Sequence, residues 1–113
     1  MNHTMKLLKV PFDAISCGKK TIEVRCRDKK RRSIAIGDTI TFFRLPECTE
    51  SICTRVTALY PADTFAELYA QFDPAQLGCT GESPDSLLES ISKIYTKEQE
   101  LRDGVLGIGL ELL

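Results

Sequence analysis

The alternation of apolar and polar positions along the chain predicts five short β-strands. Between residues 21 and 25, Ile22 and Val24 alternate with polar residues, the period of two expected of a strand. Residues 39–44 and 52–60 are rich in β-branched and aromatic residues. The strands are therefore predicted at residues 3–8, 21–27, 39–44, 52–60 and 105–112.

Helical spacing of apolar residues indicates segments between these strands. Phe12 and Ile15 share one helix face, and Gly18 follows as the residue that ends the helix. Two longer apolar stripes predict helices that pack on the sheet, and they comprise Phe65, Leu68, Tyr69 and Phe72, and then Leu87, Leu88, Ile91, Ile94 and Tyr95. The second helical pattern continues beyond a break near Thr96 and ends at Gly104.

The sequence also predicts features of the connections and of the strand ends. Residues 27–32 are all charged and are predicted to form a connecting segment, after which Ile34 and Ile36 are expected to anchor the chain to the core. Pro61 is expected to end the fourth strand. Gly107 and Gly109 lie on one face of the last strand, where they would let another backbone or a ligand approach closely.

Length and composition fit a single globular domain over residues 1–113. Hydrophobic residues make up 42% of the chain and charged residues 27%, which is ordinary for a water-soluble protein. The sequence contains neither a run of roughly 18 apolar residues nor a signal peptide. We therefore expect a cytoplasmic protein with no membrane partner.

Cysteine and histidine usage argues against a disulfide framework and against a metal site. The five cysteines are an odd number without a CxxC pair, and the chain has one histidine. We expect reduced, partly buried cysteines, no metal and no cofactor.

Charge is unevenly distributed along the chain. Residues 6–32 contain ten cationic and three acidic residues, a net charge of +7, whereas the whole chain has −1 and the remainder therefore −8. Such segregation predicts a basic surface that faces a polyanion.

Gly18, Lys20, Glu23 and Arg25 form the pattern GxKxxExR, and Gly37 and Asp38 follow at a suitable distance. With this motif, residues 3–44 resemble the ASCH (activating signal cointegrator homology) domain family. The resemblance implies an α+β, PUA-like fold, a mainly antiparallel β-barrel of about five strands with flanking helices. It also implies interaction with RNA or a modified nucleoside.

In a binding module of this family, Lys20 and Arg25 would contact phosphates, and Glu23 would hold a cation in place. The basic run Lys29, Lys30, Arg31 and Arg32 would add attraction for the polyanion. Gly18 and His3 complete the residues expected to contact the ligand.

Catalysis is the alternative. Small bacterial members of the family hydrolyse N4-acetylcytidine with a lysine, a threonine and a glutamate. Their lysine matches Lys20, but Glu23 occupies the threonine position, so Thr21 would have to substitute, and Glu82 is the nearest match to the glutamate. Other members have been described as ribonucleases, for which Lys20 and Arg25 would stabilise charge at the phosphorus. A third reading is a protein-interaction module that uses the acidic helical region 82–103, whose apolar positions are expected to be occupied by the barrel.

Overall fold

The computed structural model describes residues 1–113, and its five strands form one curled sheet, a half-barrel. The strands are β1 (Asn2–Leu7), β2 (Ile22–Cys26), β3 (Thr39–Arg44), β4 (Ser51–Ala62) and β5 (Val105–Leu112). They are arranged in the order β1-β3-β4-β5-β2, with β1 parallel to β3 and all other pairs antiparallel. The predicted α+β, mainly antiparallel, PUA-like architecture is confirmed.

Apart from the helix within the charged segment 27–32, the helices flank the sheet at the places that the apolar spacing predicts. They are α1 (Lys9–Ser16), α2 (Lys29–Arg32), α3 (Phe65–Tyr69), α4 (Pro84–Ser92) and α5 (Lys97–Asp103), with a 3-10 turn at Pro74–Gln76. Gly18 follows α1 with a φ of +82°, and Thr96 caps α5 before Gly104 ends it. None of these helices has the length and hydrophobicity needed to cross a membrane.

Three local expectations are wrong. The charged connection is in part the short helix α2, because the Asp28 side chain accepts a hydrogen bond from the Arg31 amide and caps it. Ile36 is 66% exposed and does not anchor the chain, although Ile34 is buried. Strand β4 does not end at Pro61 but continues to Ala62. This part of β4 pairs with β5 on one side only, because its pairing with β3 is limited to residues 51–55. A proline, which has no amide hydrogen, is therefore tolerated here without the loss of a hydrogen bond between strands.

Strand β5 is buried on both faces and separates two hydrophobic clusters. Leu106, Ile108 and Leu110 belong to the cluster inside the curled sheet. The opposite face carries the two glycines, and a Cβ on Gly107 would lie 3.1 Å from the Leu68 side chain while one on Gly109 would lie 3.0 Å from Thr57 Oγ1. The close approach expected at these glycines is therefore made by α3 and by the irregular part of β4.

The sheet is open between its two edge strands, β1 and β2. Side chains bridge this opening instead of a backbone ladder: Arg25 Nη2 of β2 donates to the Lys6 carbonyl of β1 at 3.0 Å. Lys30 Nζ donates to the Thr4 carbonyl on the same edge at 2.7 Å. The opening thus brings the charged residues of β2 and α2 against β1.

Candidate functional site

A buried ionic cluster of Lys20, Glu23 and Arg25 lies at the opening of the sheet. Lys20 Nζ is 3.1 Å from Glu23 Oε1, and Arg25 Nη2 is 3.0 Å from Glu23 Oε2. Glu23 is only 5% exposed, and the side chains of Lys20 and Arg25 are 13% and 15% exposed. The expectation that Glu23 holds a cation in place is met by two cations, and the resulting ionic network is largely buried.

The carboxylate of Glu23 is fully engaged. Its Oε1 also accepts a hydrogen bond from the Val24 amide at 3.1 Å, and its Oε2 accepts one from Arg25 Nε at 3.3 Å. Burial by itself would raise the pKa of Glu23, but the charges and hydrogen bonds of Lys20 and Arg25 outweigh it and lower that pKa below its usual value. Glu23 therefore stays ionised and fixes both cations in place.

The segment 73–81 holds Lys20 in this position. The Lys20 amide donates to the Ala14 carbonyl at 3.0 Å, and Lys20 forms an isolated β-bridge with Leu77. Gly78 has a φ of +75°, and a Cβ on it would lie 3.1 Å from Lys20 Cβ and 3.2 Å from Ala14 Cβ. A glycine is required here both by the backbone angle and by the close approach of Lys20.

The ionic cluster borders a cavity of about 410 Å³, which we call the apolar cavity. Its volume is in the range of small-molecule sites. Most of its lining is hydrophobic, and it comprises Leu7, Leu8, Pro11, Val24, Leu45, Leu77, Leu87, Ile91 and Ile94, with Tyr69, Tyr95 and Cys79, and with Lys6, Lys20, Glu23 and Arg25 as the charged members.

Two polar groups of the apolar cavity are held neutral. Burial raises the pKa of the Tyr69 hydroxyl, and negative charge at Cys79, Glu23 and Glu82 would raise it further. Burial also raises the pKa of the Cys79 thiol, and the nearby carboxylate of Glu82 acts in the same direction. Tyr69 can therefore donate a hydrogen bond to a ligand, whereas Cys79 is a poor nucleophile.

A second cavity of about 360 Å³, the cationic cleft, adjoins the first. The two share Lys6 and Arg25. The lining of the cationic cleft contains no carboxylate, and it comprises Thr4, Met5, Lys6, Arg25, Lys30, Arg31 and Phe43.

Besides His3, five residues expected at the site lie outside both cavities. Thr21 and Gly18 are exposed beside the motif, and Glu82 is exposed and accepts a hydrogen bond from Ser86 at 2.9 Å. Lys29 is exposed, and Arg32 Nε donates to the Arg27 carbonyl. The structure thus brings Lys20, Glu23, Arg25, Lys30 and Arg31 to the two cavities and leaves Thr21 exposed outside them.

His3 is buried away from the cavities. Its Nε2 lies 2.8 Å from Asp38 Oδ2, and the same carboxylate accepts a hydrogen bond from the Ala35 amide at 3.0 Å. The pair connects β1 to the turn before β3 and has no contact with the ionic cluster.

Sequence reasoning assigned two tyrosines to the core and left Lys6 out of the site. Tyr69 and Tyr95 line the apolar cavity, and each belongs to an aromatic group around the buried Phe65. The hydroxyl was the available signal, because a buried tyrosine usually keeps its polar end near a partner or water. Ile94, expected on a buried helix face, lies beyond the end of α4 and is 66% exposed.

No group of three or more histidine, cysteine, aspartate or glutamate side chains is placed to hold a metal ion.

Several solved structures are similar to this chain over its whole length. The crystal structure of the hypothetical protein PH0355 has a TM-score of 0.89 with 26% identity, covering 100% of both chains. The solution structure of protein PF0455 from Pyrococcus furiosus has a TM-score of 0.79 with 29% identity, covering 100% of this chain and 98% of that one. No curated protein matches the chain significantly.

A more distant neighbour shares the fold. The crystal structure of ASCH from Zymomonas mobilis has a TM-score of 0.67 at 14% identity, and the match covers 97% of this chain and 66% of that one. The model of the ASCH domain itself matches residues 5–113, nearly the entire sequence. The chain therefore belongs to the ASCH domain family.

Proposed function

We propose that this protein binds a base, either of RNA or of a modified nucleoside, in the apolar cavity. The observation that carries the proposal is the buried ionic cluster at the border of that cavity. A buried ion pair contributes little net stability, since hydrophobic residues of similar volume are often equally stabilising. Recognition of a ligand is a better reason for three charged side chains in an otherwise apolar lining.

The unused hydrogen-bond donors of Lys20 and Arg25 indicate which polar groups the ligand should have. Lys20 has three ammonium hydrogens and uses one for Glu23. Arg25 uses Nε and Nη2 for Glu23 and for the Lys6 carbonyl, which leaves the two hydrogens of Nη1. Since Glu23 is saturated, the ligand should offer acceptors, as the O2 and N3 atoms of cytosine do. Tyr69 and Tyr95 supply aromatic surface, which RNA-binding proteins use to hold unstacked bases.

Hydrolysis of N4-acetylcytidine is the second candidate, supported by the placement of Lys20 Nζ at the cavity. In this reaction water would cleave the amide and release cytidine and acetate. Lys20 would need to lose a proton before acting as a base or nucleophile, and Glu23 is a poor acceptor for it because its own pKa is lowered. The exposed position of Thr21 is a further reason to place binding first.

The test is a titration with cytidine, N4-acetylcytidine and a short single-stranded RNA, with parallel assays for acetate release and RNA cleavage. We expect saturable binding that weakens about tenfold or more in Lys20→Ala, through loss of a charged hydrogen bond. Lys19→Ala is the matched control, because Lys19 is the exposed neighbour. Turnover that is lost in Lys20→Ala would replace the binding proposal by the corresponding enzyme, and the absence of any binding or turnover would reject both.

A further inference from the structure

The cationic cleft contains positive charge that the chain does not neutralise. Arg25 and Arg31 have carboxylate partners in Glu23 and Asp28. Lys6 and Lys30 have no carboxylate within salt-bridge distance. The Arg31 Nε is the one buried side-chain nitrogen or oxygen in the protein without a hydrogen-bond partner. Unpaired cations and an unused donor are thus concentrated around one concave surface.

The cations are close enough to act on one another. Partial burial lowers the pKa of Lys30, and the charges of Arg31, Arg25 and Lys6 lower it further, against the opposing effect of Asp28. Like charges assembled in this way repel, and an anion among them removes the repulsion. Arginine and lysine together are the usual ligands of a phosphate group.

The cationic cleft and the apolar cavity are adjacent compartments with Lys6 and Arg25 in both linings. One compartment has the chemistry of a base site and the other that of an anion site. A nucleotide contains both groups, joined through its ribose.

We infer that the cationic cleft binds the phosphate of the nucleotide whose base occupies the apolar cavity. The preferred ligand is therefore a nucleotide, as a monophosphate or within an RNA strand, and a free nucleoside should bind more weakly. The inference rests on the proposed base site for the identity of the ligand, but the anion site is defined by its own residues. Lys6 and Lys30 are its main determinants, because neither has to break an ion pair with a carboxylate before it binds the phosphate.

The experiment is calorimetric titration, at constant ionic strength, with cytidine, cytidine 5′-monophosphate, a cytidine dinucleotide and ribose 5-phosphate. For the wild type we expect the phosphorylated nucleosides to bind about tenfold more tightly than cytidine, as one charged hydrogen bond provides. A preference between the monophosphate and the dinucleotide identifies a terminal or an internal phosphate. This advantage should disappear in Lys30→Ala and in Lys6→Ala.

Lys29→Ala is the matched control, since Lys29 lies beside Lys30 in α2, is exposed and is not part of the cleft. Lys6→Ala is the second variant in case Lys30→Ala fails to fold. It should leave the fold intact, because the Lys6 carbonyl that accepts the hydrogen bond from Arg25 belongs to the backbone and is kept in the variant. Equal affinity for cytidine and its monophosphate, or an advantage that survives in both lysine variants, would overturn the inference while leaving the base site intact. Binding of ribose 5-phosphate that depends on Lys30, without binding of cytidine, would support the anion site and reject the proposed base site.

Discussion

At the residue scale, Glu23 is the side chain on which the site depends. It is the only anion between two buried cations, and it determines where their remaining donors point. We predict that Glu23→Gln lowers the free energy of unfolding by about 3 kcal/mol, because it leaves Lys20 and Arg25 buried without a counter-charge. Chemical denaturation measures the loss.

Glu111→Gln provides the comparison for this prediction. Glu111 is 58% exposed and lies 3.9 Å from Arg55 Nε, so its removal should change stability by less than about 1 kcal/mol. Equal losses in the two variants would contradict a buried ionic cluster.

Asp38 gives a prediction for the dependence of stability on pH. The hydrogen bonds from His3 and from the Ala35 amide lower the pKa of Asp38 from 3.8 to about 2. Since the folded pKa is below the unfolded one, Asp38 stabilises the fold above about pH 4, and this contribution decreases as the pH falls toward 2. The stability difference between the wild type and Asp38→Asn should therefore shrink over that interval in urea titrations. Asp13→Asn, which removes an exposed pair with Lys9, is the control, and a difference that stays constant from pH 6 to pH 2 would refute the assignment.

The GxKxxExR motif shows which features of individual residues could be predicted from the sequence. The spacing in GxKxxExR placed Glu23 and Arg25 on one face, because strand residues two apart share a face, and it placed Lys20 at the entrance of that strand. The burial of these side chains was not predictable, because it results from contacts with residues 73–81 and with Lys6, which are distant in sequence. The exposure of Thr21 was also not predictable, because its backbone is held by Gln76 and Leu110, which are distant in sequence.

At the element scale, the segment 73–81 is the least regular part of the site and has the most specific backbone requirement. We predict that Gly78→Ala both destabilises the fold by about 1–3 kcal/mol, through an unfavourable positive φ, and weakens ligand binding, because the new Cβ displaces Lys20. Thermal unfolding and the nucleoside titration measure the two effects.

Gly81→Ala separates backbone strain from displacement of Lys20. Gly81 has a φ of +82°, similar to the +75° of Gly78, but a Cβ there would meet no atom within 4 Å. It should therefore lose stability without losing affinity. A binding defect of equal size in both variants would show that Gly78 acts only through loop conformation.

Elements defined by local periodicity were predictable, and those defined by a single contact were not. The alternation in β2 and the apolar stripe of α4 come from the residues themselves. Helix α2 has no apolar face and exists through the Asp28 cap and the hydrogen bond from Lys30 to Thr4. The parallel pairing of β1 with β3 depends on chain segments separated by more than 30 residues, which alternation alone does not specify.

At the scale of the whole molecule, the positive charge of the basic segment is only partly gathered in one place. The basic segment 6–32 places Lys6, Arg25, Lys30 and Arg31 around one cleft, while Lys29 and Arg32 lie outside it. The acidic remainder includes α5, where Asp103 is within 3.9 Å of Arg32. Only part of the basic run is therefore expected to face a polyanion.

The salt dependence of RNA binding should report this division. If the cleft holds one phosphate and its four cations also neutralise the neighbouring phosphates of a single strand, about four in all, the plot of log affinity against log salt should have a slope near −3. Each cleft lysine that is removed should lower the magnitude by about 0.7, so the double variant Lys6→Ala, Lys30→Ala should have a slope near −1.4. Fluorescence titration of a labelled RNA at several salt concentrations gives both values.

The double variant Lys29→Ala, Arg32→Ala is the control for this prediction. It removes two positive charges from the same basic segment, so net charge changes by the same amount as in the cleft variant. If affinity depended on overall charge, the two double variants would reduce the slope equally. Because neither Lys29 nor Arg32 lines the cleft, we expect the slope of this pair to stay near that of the wild type, and equal slopes in the two variants would contradict a localised phosphate site.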